Sequence, residues 1–193
     1  RAHNLDGEIL PFDKAWNLLF FRKDVPKGNQ GKKMVNSFEF ISGSTHLRPR
    51  DFIRYIQVCA EDTLTQGYKQ IHPKTIKFVD KAFSNYLRDE IVDEIHALLP
   101  DINNILQIIS QIRKQTFTVT EFKEVYRSYL DAGTIKEKNI EYVLQTLYDF
   151  SVLGNQPKQK NNQIFRYLNR EARINFREQL VVHRGLFKSL QIL

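Results

Sequence analysis

The chain enters a helix in the stretch His46-Leu47-Arg48-Pro49-Arg50-Asp51-Phe52-Ile53-Arg54-Tyr55-Ile56, around which the rest of the sequence is organised. Pro49 suits a first helical turn because its φ is fixed and it has no N–H to leave unpaired. Asp51 follows in the same turn, where a carboxylate complements the helix dipole. Apolar residues then recur at helical spacing, at Phe52, Ile53, Ile56, Cys59 and Ala60. We predict a helix from Pro49 to about Gln66, because Gly67 is a natural C-terminal stop.

Two arginines, Arg48 and Arg50, flank the proline. A positive side chain at the start of a helix opposes the dipole, so such residues often accompany a bound anion. The alternative is that both are solvated arginines beside a proline. The sequence leaves both interpretations open.

The composition indicates a folded chain without membrane or disulfide features. The 193 residues are 41% hydrophobic and 12% aromatic, which is enough for one large or two small domains. No apolar run is long enough to span a bilayer, and no secretory signal pattern opens the chain. The single cysteine, Cys59, excludes an internal disulfide and fits the cytoplasm; we expect it to be a buried structural thiol. Because the chain begins at Arg1, we expect a fragment of a longer protein.

Positive charge is concentrated near the C-terminus. The formal net charge is +7, and residues 151–193 hold eight Lys/Arg against two Glu, a net charge of +6. Such a local excess of positive charge favours a polyanionic partner. The alternative is that these charged side chains serve only to keep the protein soluble.

The first hundred residues predict a helical module. A helix begins at Asp13, residues 22–36 form a polar loop, and 36–45 form either a short helix or a strand. A long helix follows His72-Pro73 and ends at Pro100. Gly31-Lys32 is not a phosphate-binding loop, because position 26 is proline rather than glycine and no Ser or Thr follows the lysine.

The second part of the chain has the order of a winged helix. We predict helices over about 102–112, 120–130 and from 135 or 137 to 150, followed by strands at 152–155 and 164–168. Three helices followed by a two-stranded hairpin is the winged-helix order, and in that fold the third helix enters the major groove. The fold class is therefore mainly α: a helical lid-like bundle followed by a winged-helix domain with a small β-hairpin.

Polar and basic residues on the third helix and the hairpin are the candidates for nucleic-acid binding. Asparagine and glutamine read adenine edges, whereas lysine and arginine contact guanine or phosphate. The candidates are Lys138, Asn139, Tyr142 and Gln145 on the helix, with Lys158, Lys160, Arg166 and Arg170 in the hairpin region. The alternative is a winged helix that mediates protein–protein contacts or oligomerisation without binding nucleic acid.

Two short motifs carry a resemblance to a known family. Leu47-Arg48-Pro49-Arg50-Asp51-Phe52-Ile53-Arg54 resembles the signature that follows the nucleotide-binding core of bacterial P-loop ATPases of the extended AAA/STAND type, which are similar to origin-recognition ATPases. Val182-His183-Arg184-Gly185-Leu186-Phe187-Lys188-Ser189-Leu190 resembles the closing VHPGLxxxL motif of that family, with Arg184 in place of proline. The resemblance covers roughly 45–193.

The resemblance implies the C-terminal regulatory and nucleic-acid-binding region of such an ATPase. Residues 1–100 would form the lid-like module, with 1–45 either in the lid or at the edge of the ATPase core, and 101–193 the winged helix. Arg50 would be the first candidate, and Arg48 the second, for the arginine that senses the γ-phosphate of a nucleotide in the missing core. ATP and Mg²⁺ are expected only with that core, so we expect no enzyme activity, no catalytic residues and no metal site in this chain. The expected partners are DNA or RNA and the ATPase core or another subunit, in the cytoplasm and without a membrane.

Overall fold

The computed structural model describes residues 9–27, 33–157 and 162–192. The first half of the chain contains α1 (Phe12–Leu19), β1 (Asp24–Lys27), β2 (Lys33–Asn36), α2 (Ser37–Ser42), α3 (Pro49–Thr65) and α4 (Pro73–Ile95). The second half contains α5 (Ile102–Ile112), β3 (Thr116–Phe117), α6 (Val119–Asp131), α7 (Ile140–Asp149), β4 (Leu153–Gln156), β5 (Gln179–Val182) and a 3-10 helix (Arg184–Leu186). The fold is mainly helical with small antiparallel sheets, which confirms the predicted fold class. No helix in the described ranges is both long and apolar enough to cross a membrane.

The chain divides into two compact units. The first comprises Arg1–Gly43 and Arg48–Asp80, and the second comprises Ser44–Leu47 and Lys81–Leu193. The division therefore falls within α4, and the short segment 44–47 belongs to the second unit. The predicted domain boundary at residue 100 stays a prediction.

The first unit is built around α3, which begins at Pro49 as predicted. Tyr55 and Cys59 are fully buried on its inner face. The Tyr55 hydroxyl donates to the Ile76 carbonyl (3.0 Å), so the first helical turns of α4 are tied to α3. Because these groups are buried and paired, they fix the position of α4 within the unit.

The predicted loop over 22–36 is wrong in part. β1 and β2 form an antiparallel pair in which Val25 lies opposite Val35, and Val25 is fully buried. Burial of this valine gives the segment a reason to pair despite its proline and glycines. The open choice over 36–45 resolves as helix α2, whose N-terminus is capped by the Asn36 side chain accepting from the Phe38 N–H (2.8 Å).

The second unit combines the later turns of α4 with α5, α6, α7 and a three-stranded sheet. The strand order is β3-β5-β4, and both pairings are antiparallel. A capping box begins α6, because the Thr118 hydroxyl accepts from the Glu121 N–H while the Glu121 carboxylate accepts from the Thr118 N–H (2.7 Å). α5 buries its apolar face almost completely, at Ile102, Ile105, Leu106, Ile108 and Ile109.

The predicted strand over 164–168 is wrong. Ile164 forms only an isolated bridge with Asn155, whereas the true partner of β4 is β5. The Asn155 side chain bonds to the backbone of Asn175 in both directions, with its amide donating (2.9 Å) and its oxygen accepting (2.9 Å). This side chain therefore holds the long connection against β4 in place of a regular strand.

The third helix of this region, α7, also begins later than predicted. It starts at Ile140 because the Asn139 side chain caps it, accepting from the Tyr142 N–H (3.1 Å). Glu137, one of the two predicted starting residues, instead accepts from the Asn139 N–H through its carboxylate (2.7 Å). The cap fixes the first turn, so the helix cannot extend back to 135.

Candidate functional site

The two arginines at the start of α3 surround a buried carboxylate. Asp51 is fully buried, and its Oδ2 lies 3.1 Å from Arg48 Nε. Arg50 Nε lies 4.0 Å from the other carboxylate oxygen. The side chain of Arg48 is 27% exposed and that of Arg50 is 52% exposed. The anion beside these cations is therefore at least in part the chain's own Asp51, and nucleotide sensing by Arg48 and Arg50 stays a prediction.

The outward face of α7 is largely engaged in hydrogen bonds within the chain. Asn139 uses its side-chain oxygen as the helix cap. The Gln145 amide donates to Asp149 (3.1 Å), and the Tyr142 hydroxyl donates weakly to the Leu98 carbonyl (3.4 Å). Lys138 is exposed. The amide groups that would read adenine edges thus have competing partners, and base readout would require breaking these bonds.

The connection between β4 and β5, residues 157–178, has the predicted basic character. Lys158 and Lys160 lie outside the described residues. Arg166 is partly structural, because its Nη1 donates to the Ala172 carbonyl (3.2 Å) and lies 3.4 Å from Asp149 Oδ1. Arg170 is exposed.

Two further arginines of this connection, Arg173 and Arg177, are exposed like Arg170. The site prediction did not include them, although both contribute to the C-terminal excess of positive charge. Both lie in the connection between β4 and β5, as Arg170 does. We name Arg170, Arg173 and Arg177 the arginine trio.

The closing motif of the chain packs against the segment 44–47 of the same unit. His183 is buried, and its Nδ1 accepts from the Gly185 N–H (3.2 Å), so this histidine caps the 3-10 helix. Its ring lies 4.5 Å from that of His46, edge to face. Arg184, which stands where the resembling motif has proline, donates a hydrogen bond from Nη1 to the Ser44 hydroxyl. This departure from the motif therefore has a structural role.

Tyr167 completes an aromatic cluster with these residues. Its ring centroid lies 5.3 Å from those of His46 and His183, and Phe165 lies 5.3 Å from His183. Burial raises the pKa of the Tyr167 hydroxyl above its ordinary value. The cluster holds the chain beyond β4 against the closing motif, a structural arrangement that the isolated histidines of the sequence did not predict.

No group of three or more His, Cys, Asp or Glu side chains within the described ranges is arranged to hold a metal ion. Cys59 is fully buried, and its pKa is raised to about 12, chiefly by burial. A thiol that stays protonated is a poor nucleophile, which supports the structural interpretation of this cysteine.

A known family model matches the first part of the chain. Residues 8–92 match the model of a FunZ-associated C-terminal helical domain. The match covers α1 to α3 and most of α4, and it does not extend to the region from α5 to β5. No curated protein and no solved structure is significantly similar to the chain. The similarity thus points to a helical domain that occurs at the C-terminal end of larger proteins.

Proposed function

We propose that this chain is the C-terminal regulatory region of a larger protein and that residues 101–193 bind nucleic acid through the connection between β4 and β5. The observation that carries the proposal is the arginine trio, three exposed cations within one connection of 22 residues between the paired strands. The similarity of residues 8–92 to a C-terminal helical domain supports the placement at the end of a larger protein.

The element order supports a winged-helix interpretation. α5, β3, α6, α7, β4 and β5 follow one another as the helices and strands of a winged helix do, and the sheet order β3-β5-β4 supports the interpretation of the β4–β5 connection as a wing. In such a fold α7 takes the position of the helix that enters the major groove. The arginine trio and the predicted contacts Lys158 and Lys160 then belong to the wing.

The distribution of contacts predicts binding that depends on phosphates more than on bases. The arginine trio is exposed, whereas Asn139 at the cap of α7, and Tyr142 and Gln145 on that helix, are engaged within the chain. Phosphate contacts position a protein on a duplex but carry no sequence information directly. We therefore expect salt-sensitive binding with little sequence preference, in which Lys138 and Arg166 have minor roles.

The test is binding to a labelled random-sequence duplex across a salt series. Each phosphate contact contributes about −0.9 to the slope of log K against log salt, so replacing the arginine trio with glutamate should reduce the slope by about 2 to 3. The control, Lys69→Glu/Lys77→Glu/Lys81→Glu, makes the same change in net charge at exposed lysines outside the connection. It should leave the slope nearly unchanged.

Equal effects of the two triple variants would mean that net charge, not the wing, attracts the duplex, and would overturn the proposal. Absence of duplex binding even at low salt would direct the test to single strands. If single strands also fail to bind, the protein-contact alternative gains support. The Tyr142 and Gln145 side chains of α7 are already hydrogen-bonded within the chain, which leaves fewer groups on that helix to contact bases.

A second proposal concerns Arg48 and Arg50. We infer from the resemblance that the larger protein is a bacterial P-loop ATPase, in which Arg50 senses the nucleotide; its half-exposed side chain supports access to a partner group. In the full-length protein, Arg50→Gln should weaken ATP binding in the presence of Mg²⁺ by about tenfold or more, because charge-assisted hydrogen bonds are lost. Unchanged ATP affinity would contradict this role, and ATP turnover by the isolated chain would contradict our expectation that it is not an enzyme.

A further inference from the structure

We propose that the second unit holds a binding site for a small molecule carrying a phosphate or carboxylate group, in a cavity that Arg88 and Arg113 line together. The cavity has a volume of about 710 Å³. Its walls come from α4, α5, α6 and the segment 189–191, all within one unit. This size is typical of small-molecule sites, and none of the described residues that line it is acidic.

The two arginines supply the positive charge. Arg88 is oriented by a hydrogen bond from its Nη2 to the Asn103 side-chain oxygen (3.0 Å), and its Nη1 lies 4.0 Å from the largely exposed Asp89. Arg113 is exposed, and its guanidinium has no hydrogen-bond or ion-pair partner among the described residues. A guanidinium offers five N–H donors in a planar fork, which suits the two oxygens of a phosphate or carboxylate group.

Hydrogen bonds fix the polar wall between these arginines. The Ser110 hydroxyl donates to the Leu190 carbonyl (2.7 Å), which holds the C-terminal segment against α5. The Gln111 amide donates to the Tyr129 hydroxyl oxygen (2.7 Å), so the Tyr129 O–H remains able to donate a hydrogen bond to another group. Donors that are already positioned lose less entropy when a ligand binds.

The backbone at the rim of the cavity is unusual. Among the described residues other than glycine, four have positive φ, and two of these, Arg113 (φ 53°) and Gln191 (φ 55°), line this cavity. Glycine or asparagine would end α5 at position 113 with less strain, because left-handed backbone is unfavourable for residues with longer side chains. Strained backbone of this kind clusters at functional sites, and here it accompanies a cation with no partner in the described chain.

The chemistry of the cavity defines the class of ligand. Hydrogen-bond donors and positive charge favour an oxyanion, and a cavity of this volume, open to solvent, fits a small molecule rather than a duplex. The site stands apart from the proposed nucleic-acid surface, because none of the arginine trio lines it. Either proposal can therefore fail without affecting the other.

The experiment is a titration of the ¹⁵N-labelled chain followed by amide chemical shifts. Inorganic pyrophosphate is the probe in one arm and citrate in the other. We expect saturable shifts at residues 106–113 and 189–191, with a Kd of about 1 mM or below. Arg113→Gln should raise the Kd of the bound probe at least about tenfold, because charge-assisted hydrogen bonds are lost.

The matched control is Arg127→Gln on the exposed face of α6, which removes the same charge outside the cavity and should leave the Kd unchanged. Since Arg113 is exposed and unpaired among the described residues, its replacement should preserve the fold, which the unperturbed spectrum verifies. Arg88→Gln is the second variant and should also weaken binding.

The arms distinguish the ligand classes. Saturable binding of pyrophosphate alone assigns the site to phosphorylated compounds, binding of citrate alone assigns it to carboxylates, and binding of both supports a general oxyanion site. Shifts that do not saturate by about 10 mM, or a Kd that Arg113→Gln leaves unchanged, would overturn the proposal.

Discussion

Gly185 should not tolerate a side chain, because a Cβ at this position would clash with neighbouring atoms. A Cβ built at this position would lie 2.1 Å from the Ser44 carbonyl oxygen and 2.6 Å from Cδ2 of Leu87. Leu87 is itself fully buried, and the Ser44 oxygen belongs to the backbone and cannot move alone. Gly185→Ala should therefore force the closing motif away from the segment 44–47.

The magnitude follows from the required displacement. Ordinary Cβ contacts begin at about 3.4 Å, so the Ser44 carbonyl and the closing motif must separate by more than 1 Å. Overpacking of this kind costs about 1–3 kcal/mol and occasionally more, and a clash with backbone belongs at the upper end. We expect a loss of about 3 kcal/mol, which corresponds to a fall in Tm of about 10 °C for a unit of this size.

The assay is urea unfolding followed by circular dichroism, together with amide hydrogen exchange in α5 to isolate the second unit. The control is Gly133→Ala in the same unit, where φ is +68° and a Cβ meets nothing within 4 Å. That variant should lose only the cost of left-handed backbone, about 1 kcal/mol. A loss for Gly185→Ala no greater than that of the control would refute the steric argument.

Three further outcomes follow from individual groups. Hydrogen bonding to Lys114, followed by the capping interactions, lowers the pKa of Glu121 from 4.5 to about 2, so the contribution of Glu121 to stability is present above pH 4.5 and lost as the pH falls toward 2. Glu121→Gln should flatten this part of the curve of stability against pH. An unaltered curve would contradict the stabilising role of the ionised Glu121. Cys59 should resist an aromatic disulfide reagent in the folded chain and react fully in urea, because burial raises its pKa to about 12; rapid labelling of the native chain would argue against it. Asn139→Ala should lower the free energy of unfolding by about 1 kcal/mol, because the Asn139 side-chain oxygen caps α7 by accepting from the Tyr142 N–H. The slope of log K against log salt for duplex binding should stay unchanged. A changed slope would assign Asn139 to the nucleic-acid surface.

Helices with strong local signals could be predicted from the sequence. α3 begins at Pro49 and ends at Thr65, close to the predicted limits, because proline and Gly67 act on the adjacent backbone. α4 begins at Pro73 as predicted but ends at Ile95. The residues before Pro100 form a turn, so proline marks the outer limit of the helix and not its end.

Pairings that depend on distant residues could not be predicted. Residues 164–168 have the composition of a strand, but β4 pairs with β5, and the Asn155 side chain instead bonds to the distant backbone of Asn175. Local propensity contains no information about a partner so far along the chain. The candidate sites follow the same division: charge placement indicated the basic connection, whereas the cavity at Arg113 depends on four separated segments.

The membership of Ser44–Leu47 in the second unit has a consequence for how the chain is made. The partner of Ser44 is Arg184, 140 residues later, so the segment emerges from a ribosome long before its contacts exist. At about 5–20 residues per second the delay is roughly 7 to 28 s, and the second unit cannot be complete until synthesis nears the closing motif. The same logic applies to cloning: an expression fragment that begins at residue 81 or 101 omits this segment and leaves the buried His183 without one of its walls.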